Sequence, residues 1–204
     1  MTDAPAAPLT EAEVAEVEEQ FGVRLPGVYR EFLIRVDAGG HGPRLSRLQR
    51  GLGGWEWADL PVPRGDDLGA LAKPFPDQDA IQARLDELDE PAEYRSPEWL
   101  AWDELCEQAL ADQMNGTIAI GGDTTFPLLL VVTGPQRGTI WCDLRVTTEA
   151  LFLVRNRDGS AATFADLYAD WLTEAERLLD EGRTELRRWD VRTPMIENIF
   201  RPPR

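Results

Sequence analysis

The sequence predicts a mixed α and β class, with helices at both ends and strands gathered between them. Three observations carry that reading. They are a capped pair of amphipathic helices over residues 10–36, a β-rich stretch over 117–154, and one long helix over 163–180 with an almost unbroken apolar face.

The first helix starts at Thr10, because Thr10-Glu11-Ala12-Glu13 is a capping box in which hydroxyl and carboxylate each satisfy an otherwise orphaned backbone N–H. Val14, Val17 and Phe21 then fall on one stripe. Gly22 suits the left-handed turn that ends a helix, and Pro26 suits the first position of the next. Tyr29, Phe32, Leu33 and Val36 complete the second helix's face before Gly39 and Gly40 stop it. The pattern breaks down over 41–75. There Trp55-Glu56-Trp57 reads as a short strand with both indoles on one side, set in an irregular and exposed surface rich in Pro and Gly.

Helical spacing returns over 79–88 with Ile81, Leu85 and Leu88. It returns again after the cap Ser96-Pro97, where Trp99, Trp102, Cys106 and Ala109 share a face. The strands follow: 117–120, a turn over 121–125, and 126–133, which is apolar at nearly every position and so suggests burial on both faces. In the next strand, 139–146, Ile140, Cys142 and Leu144 face one way while Trp141, Asp143 and Arg145 face the other. A further strand is expected at 151–154. The closing helix aligns Phe164, Leu167, Tyr168, Trp171, Ala175, Leu178 and Leu179. The length of 204 residues fits one domain, with a folded core over 10–181, an acidic helical insertion at 77–112 and an arginine-rich tail at 182–204.

The formal net charge of −16 disfavours nucleic acid, whose phosphates need a basic surface. It favours solubility and attraction to basic proteins. A plainer reading stands beside that one: twenty Arg against one Lys looks like nucleotide bias, and acidity then serves solvation alone. The charge is uneven. Residues 77–112 hold twelve acids against Arg84 and Arg95, whereas 22–54 hold six Arg against Glu31 and Asp37. That asymmetry implies either internal pairing or two different binding faces. No apolar run approaches the roughly 20 residues of a membrane span. The first eight residues lack the marks of a secretory signal, so a cytoplasmic protein is expected. Cys106 and Cys142 are too few and too far apart for a disulfide framework or metal cluster.

Three blocks resemble proteins of the SUKH superfamily, in that family's order. The first is the helix pair with Gly22, Leu25-Pro26 and Tyr29-Arg30-Glu31-Phe32-Leu33. The second runs from Ile118-Ala119-Ile120-Gly121-Gly122-Asp123 through the apolar strand to Gly138-Thr139-Ile140-Trp141. The third is the helix start Thr163-Phe164-Ala165-Asp166-Leu167-Tyr168 and its continuation to Leu172. The chain departs from the pattern at Thr124-Thr125-Phe126, where many relatives place another glycine, and in the long acidic stretch. The resemblance implies an α+β fold, in which an antiparallel β-sheet is covered by N-terminal and C-terminal helices. The superfamily includes bacterial toxin-immunity proteins and a yeast regulator of cell-wall synthesis.

Few residues announce chemistry. His41 is the only histidine; it sits in a glycine-rich loop with no nucleophile signature, so neither a catalytic triad nor a zinc site is expected. Gly51-Leu52-Gly53-Gly54 and Gly121-Gly122-Asp123 lack the lysine and the strand-to-helix setting of a phosphate loop. Asp86, Glu87, Asp89 and Glu90 lack the alternation and central glycine of a calcium loop. They read as a solvated helix end. No cofactor and no metal are expected.

Asp123, Trp141 and Asp143 would set an indole between two carboxylates, a common binding hot-spot composition; the plainer alternative places Trp141 in the core beneath the closing helix. Trp55 and Trp57, with Glu56 between them, have the better claim to exposure. Trp99, Trp102 and Trp171, at helical spacing, read as core. The expected partner surface is therefore Trp55, Glu56, Trp57, Asp86, Glu87, Asp89, Glu90, Asp123, Trp141 and Asp143.

The resemblance implies a cytoplasmic immunity protein that neutralises a cognate, basic protein toxin, such as a nuclease or deaminase, by occluding its active site. The alternative is a regulatory or scaffolding protein with no toxin partner. An enzyme using Asp123 and Asp143 for acid–base chemistry ranks third.

Overall fold

The structure is a computed structural model and describes residues 7–40, 42, 45–58, 68–122, 126–145 and 150–183. His41, Asp123 and the tail beyond residue 183 lie outside the described residues.

Helix α1 (Glu11–Phe21) begins at the expected capping box: the Glu13 amide donates to Thr10 Oγ1 at 3.2 Å, and the Thr10 amide to Glu13 Oε2 at 2.8 Å. Gly22 ends it with φ 65°. Helix α2 (Gly27–Arg35) starts one residue later than expected, with Pro26 as its N-cap. Its end at Arg35 leaves Val36 off the buried face and 48% exposed, whereas Tyr29, Phe32 and Leu33 are buried as expected. The turn between the helices is built on Glu18, which is buried within α1. Its Oε1 accepts from the Leu25 amide at 2.8 Å and its Oε2 pairs with Arg24 at 3.1 Å. Arg137 then reaches across from the β-sheet to donate to the Leu25 carbonyl at 2.7 Å.

Within the stretch read as irregular, Gly51-Leu52-Gly53-Gly54 forms the turn of a hairpin. Strands β1 (Leu48–Gly51) and β2 (Gly54–Trp57) pair antiparallel, Leu48 opposite Trp57 and Gly51 opposite Gly54. A short helix α3 (Leu68–Ala72) leads to Phe75, and then come α4 (Gln78–Asp86) and α5 (Pro97–Ala111), capped by Asp77 and Ser96. The main sheet is an antiparallel meander of β3 (Thr117–Gly122), β4 (Pro127–Val131), β5 (Ile140–Asp143) and β6 (Leu151–Leu153), in that spatial order. Helix α6 (Phe164–Asp180) closes the fold from a second capping box, Thr163 with Asp166.

The sheet is buried on both faces, as the apolar run predicts. Ile118, Ile120, Leu128, Leu130, Ile140 and Cys142 join the main core with α1, α2, the hairpin and α6. Phe32, Phe164 and Tyr168 meet there with ring centroids 5.0 Å apart for each pair involving Phe32. On the opposite face Ala119, Leu129, Val131, Trp141 and Leu151 pack with Phe75. That cover is pinned at Gly116, whose amide donates to the Ala70 carbonyl at 2.8 Å, while the Phe75 amide donates to Thr133 at 2.9 Å. A Cβ on Gly116 would lie 2.6 Å from the Lys73 carbonyl oxygen and 2.8 Å from the Phe75 nitrogen, and its φ is +63°. Only glycine fits this crossing.

The α4–α5 pair lies outside both core clusters. Helix α4 buries no residue and α5 only Ala109. Trp99 and Trp102, expected in the core, are half-buried because two helices alone cannot enclose an indole. They meet at 5.8 Å, and Trp102 Nε1 donates to the Leu88 carbonyl at 3.2 Å. Trp171 is likewise half-buried and stacks on Tyr168, while Leu179, at the far end of the expected apolar face, is 51% exposed.

Candidate partner-binding surface

Trp55 and Trp57 share one side of β2, and that side faces α1 rather than solvent. Gln20 clamps the strand with both ends of its amide: Nε2 donates to the Trp55 carbonyl at 2.8 Å, and Oε1 accepts from the Trp55 amide at 2.6 Å. The Trp55 ring is 6% exposed, with its Nε1 3.3 Å from Glu16 Oε2 and the Arg50 guanidinium 4.6 Å above the ring centre. Trp57 packs on Phe21 at 5.1 Å and donates to the Tyr29 hydroxyl at 2.9 Å. Burial pushes the ionisation of Tyr29 far above the usual tyrosine range, against a smaller opposing effect of the Trp57 hydrogen bond. The two indoles therefore anchor the hairpin, which corrects their expected exposure; Glu56 between them is exposed.

The basic N-terminal segment spends its charge locally. Arg24 pairs with Glu18, Arg30 with Glu11 and Arg50 with Glu16, all on α1. Of the two arrangements open from the sequence, these three arginines take internal pairing, and with α1 rather than the acidic arm.

The arm's acids face solvent. Asp86 ends α4, Glu87 is its C-cap, and Asp89 and Glu90 follow in the connection to α5; all four are exposed. In the same connection the Tyr94 ring is 66% exposed, 4.7 Å from Trp99, with the Arg95 guanidinium 5.2 Å above it. Leu100 is 55% and Leu105 44% exposed on α5. An exposed aromatic bordered by carboxylates is what a protein-binding patch offers. Sequence reasoning missed Tyr94 because it falls between the two helical patterns; its one signal was an aromatic amid acids and Pro.

Trp141 is buried, but on the face opposite the closing helix, where it packs edge-on against Phe75 at 5.0 Å. That corrects its expected place beneath α6: strand alternation gives the α6 face to Ile140 and Cys142, so Trp141 must take the other. Asp143 lies on the Trp141 face, 4% exposed, and Arg145 holds it from both oxygens at 2.9 and 2.7 Å. Its charge is matched at once. Trp141 also floors a cleft of about 410 Å³ between α4 and β6, with Asp77, Asp79 and Gln82 on the α4 side. The structure thus separates the described residues of the expected surface into a docked hairpin, an exposed acidic tip, the floor of a cleft at Trp141 and a buried ion pair at Asp143.

Among the described residues no group of three or more His, Cys, Asp or Glu could hold a metal ion, and no helix is long and apolar enough to cross a membrane. Comparison with curated proteins and with solved structures finds no match. Comparison with protein families matches residues 8–174, a span that runs from just before α1 into α6 and includes both faces of the sheet. On that match the chain belongs to the SMI1 / KNR4 family (SUKH-1).

Proposed function

We propose that this protein is an immunity protein that binds a cognate basic protein toxin and covers its active site. Membership of a family that includes toxin-immunity proteins supports this reading. The observation that carries the reading is the acidic arm, where Asp86, Glu87, Asp89 and Glu90 are exposed in the same α4–α5 segment as the exposed Tyr94, outside the core clusters. A toxin that acts on nucleic acid needs a basic groove, and this tip is of opposite charge. Opposite charge speeds encounter, and a desolvated aromatic slows escape. Binding rather than catalysis is the task assigned to these residues, in the cytoplasm where such a toxin would act.

The test is to co-express the C-terminal domain of the adjacent large reading frame with and without this protein. Rescue from toxicity together with co-purification is expected. Replacing Asp86, Glu87, Asp89 and Glu90 with Lys should slow association at least tenfold and remove most of its salt dependence. An association rate that is the same at low and high salt would sink the steering argument. No toxicity from any neighbour and no captured partner would leave the regulatory or scaffolding role instead.

A further inference from the structure

Among the described residues strand β6 is the last strand of the main sheet, and its pairing with β5 shows which of its backbone groups turn outward. The Leu144 amide donates to the Ala150 carbonyl at 3.1 Å, and the Val154 amide to the Ile140 carbonyl at 3.0 Å. Antiparallel pairing alternates, so residues 150, 152 and 154 turn their N–H and C=O toward β5, and Leu151 and Leu153 turn theirs away from the sheet. Leu151 and Leu153 also belong to the wall of the cleft between α4 and β6. The side chains of Leu151 and Leu153 lie on the Trp141 face and line that cleft with it. Across from them the first turn of α4 contributes Asp77 and Asp79, at the root of an arm that holds twelve acids against two arginines. Arg155 is the single base among the described lining residues.

An edge strand with an apolar floor beneath it and carboxylates opposite is suited to strand addition, where backbone bonds supply affinity and alternate side chains supply choice. We infer that this cleft takes an extended partner segment as an additional strand on β6, in which every second residue is cationic and enters the cleft, its stem over Trp141 and its charge toward Asp77 and Asp79, while the apolar residues between them lie on the opposite face beside the exposed Phe152. The inference rests on the protein-binding reading above and names the kind of segment the partner presents. Side chains alternate along a strand, so the preferred segment alternates basic and apolar residues.

The experiment uses the full chain, isotope-labelled for NMR, and two peptides of equal charge: acetyl-(Arg-Val)4-amide, which can pair as a strand, and acetyl-(Arg-Pro)4-amide, which lacks the amide donors at every second residue. Saturable shifts of the Leu151 and Leu153 amides and of the Trp141 indole N–H are expected with the first peptide only. Asp79→Arg, at an exposed position, should weaken that binding at least tenfold. Leu153→Pro removes an outward-facing donor at an edge position that tolerates proline, and should weaken it about fivefold or more. Equal binding of both peptides, or shifts confined to the arm, would show charge attraction alone and overturn the inference. The two readings fail separately. If Asp79→Arg still rescues cells from a toxin as wild type does, the cleft is not the toxin's seat; if no toxin exists but (Arg-Val)4 seats on β6, only the immunity reading falls.

Discussion

Replacing Gln20 with Ala tests how the β1–β2 hairpin is held. Two hydrogen bonds disappear, to the amide and the carbonyl of Trp55, a residue only 6% exposed. Each backbone group left buried without a partner costs about 1–3 kcal/mol. Alanine returns about 0.3 kcal/mol in helix propensity. The net expectation is a loss of about 2–6 kcal/mol, which at a urea slope of about 2 kcal/mol/M moves the midpoint down by about 1–3 M. Urea titration followed by far-UV circular dichroism and tryptophan fluorescence reads it directly. Gln20→Glu separates lost hydrogen bonds from lost packing. Its carboxylate still accepts from the Trp55 amide, but sets a second charged oxygen against the Trp55 carbonyl, so protonation is favoured in the folded state. A carboxyl whose folded pKa is raised adds stability below its unfolded value of about 4.3, and that stability is lost as pH rises through the folded value. The Glu variant should therefore approach wild type in acid and resemble the Ala variant at neutral pH. A loss under about 1 kcal/mol for Gln20→Ala, or a pH-independent deficit for Gln20→Glu, would refute the clamp.

Gly116→Ala must strain a φ of +63° and push into backbone atoms at 2.6–2.8 Å; a loss of about 3 kcal/mol or more is expected, seen as a lower melting temperature or an insoluble product. Trp141→Ala should cost about 3–5 kcal/mol in urea, because it empties the face shared with Phe75. Asp166 closes the capping box of α6. Burial raises its pKa, but hydrogen bonds from the Thr163 amide and hydroxyl and from Asn156 outweigh that, and the net value is lowered. A lowered folded pKa adds stability above the unfolded value of about 3.9, and that stability is lost as pH falls through the folded value. Asp166→Ala should thus lose about 1 kcal/mol at pH 7. Paired melts of wild type and variant should converge as the solution is acidified below about pH 4.

Local grammar was legible in the sequence. Thr10, Gly22, Ser96 and Thr163 mark helix ends through bonds that close within a few residues, so no distant partner is needed to place them. The two-sided burial of β4 was legible too, because a strand apolar at successive positions has no face left for water. Partnership was not. Trp55 and Trp57 differ little in sequence from an exposed aromatic pair, and their burial depends on Gln20, 35 residues before Trp55. Trp99 and Trp102 keep a core-like spacing, yet among the described residues the arm has no third layer to cover them. Tyr94 belongs to no periodic pattern, and its exposure follows from where the α4–α5 connection lies. The sequence by itself determined the longer helices, the apolar strands of the main sheet and the family, since each rests on short-range pattern and residue order; the short helix α3 lay in a stretch read as irregular. Only the tertiary structure decided which indoles are anchors, which carboxylates are exposed and where, among the described residues, β6 leaves an edge, because burial and charge pairing are set by residues far apart in the chain.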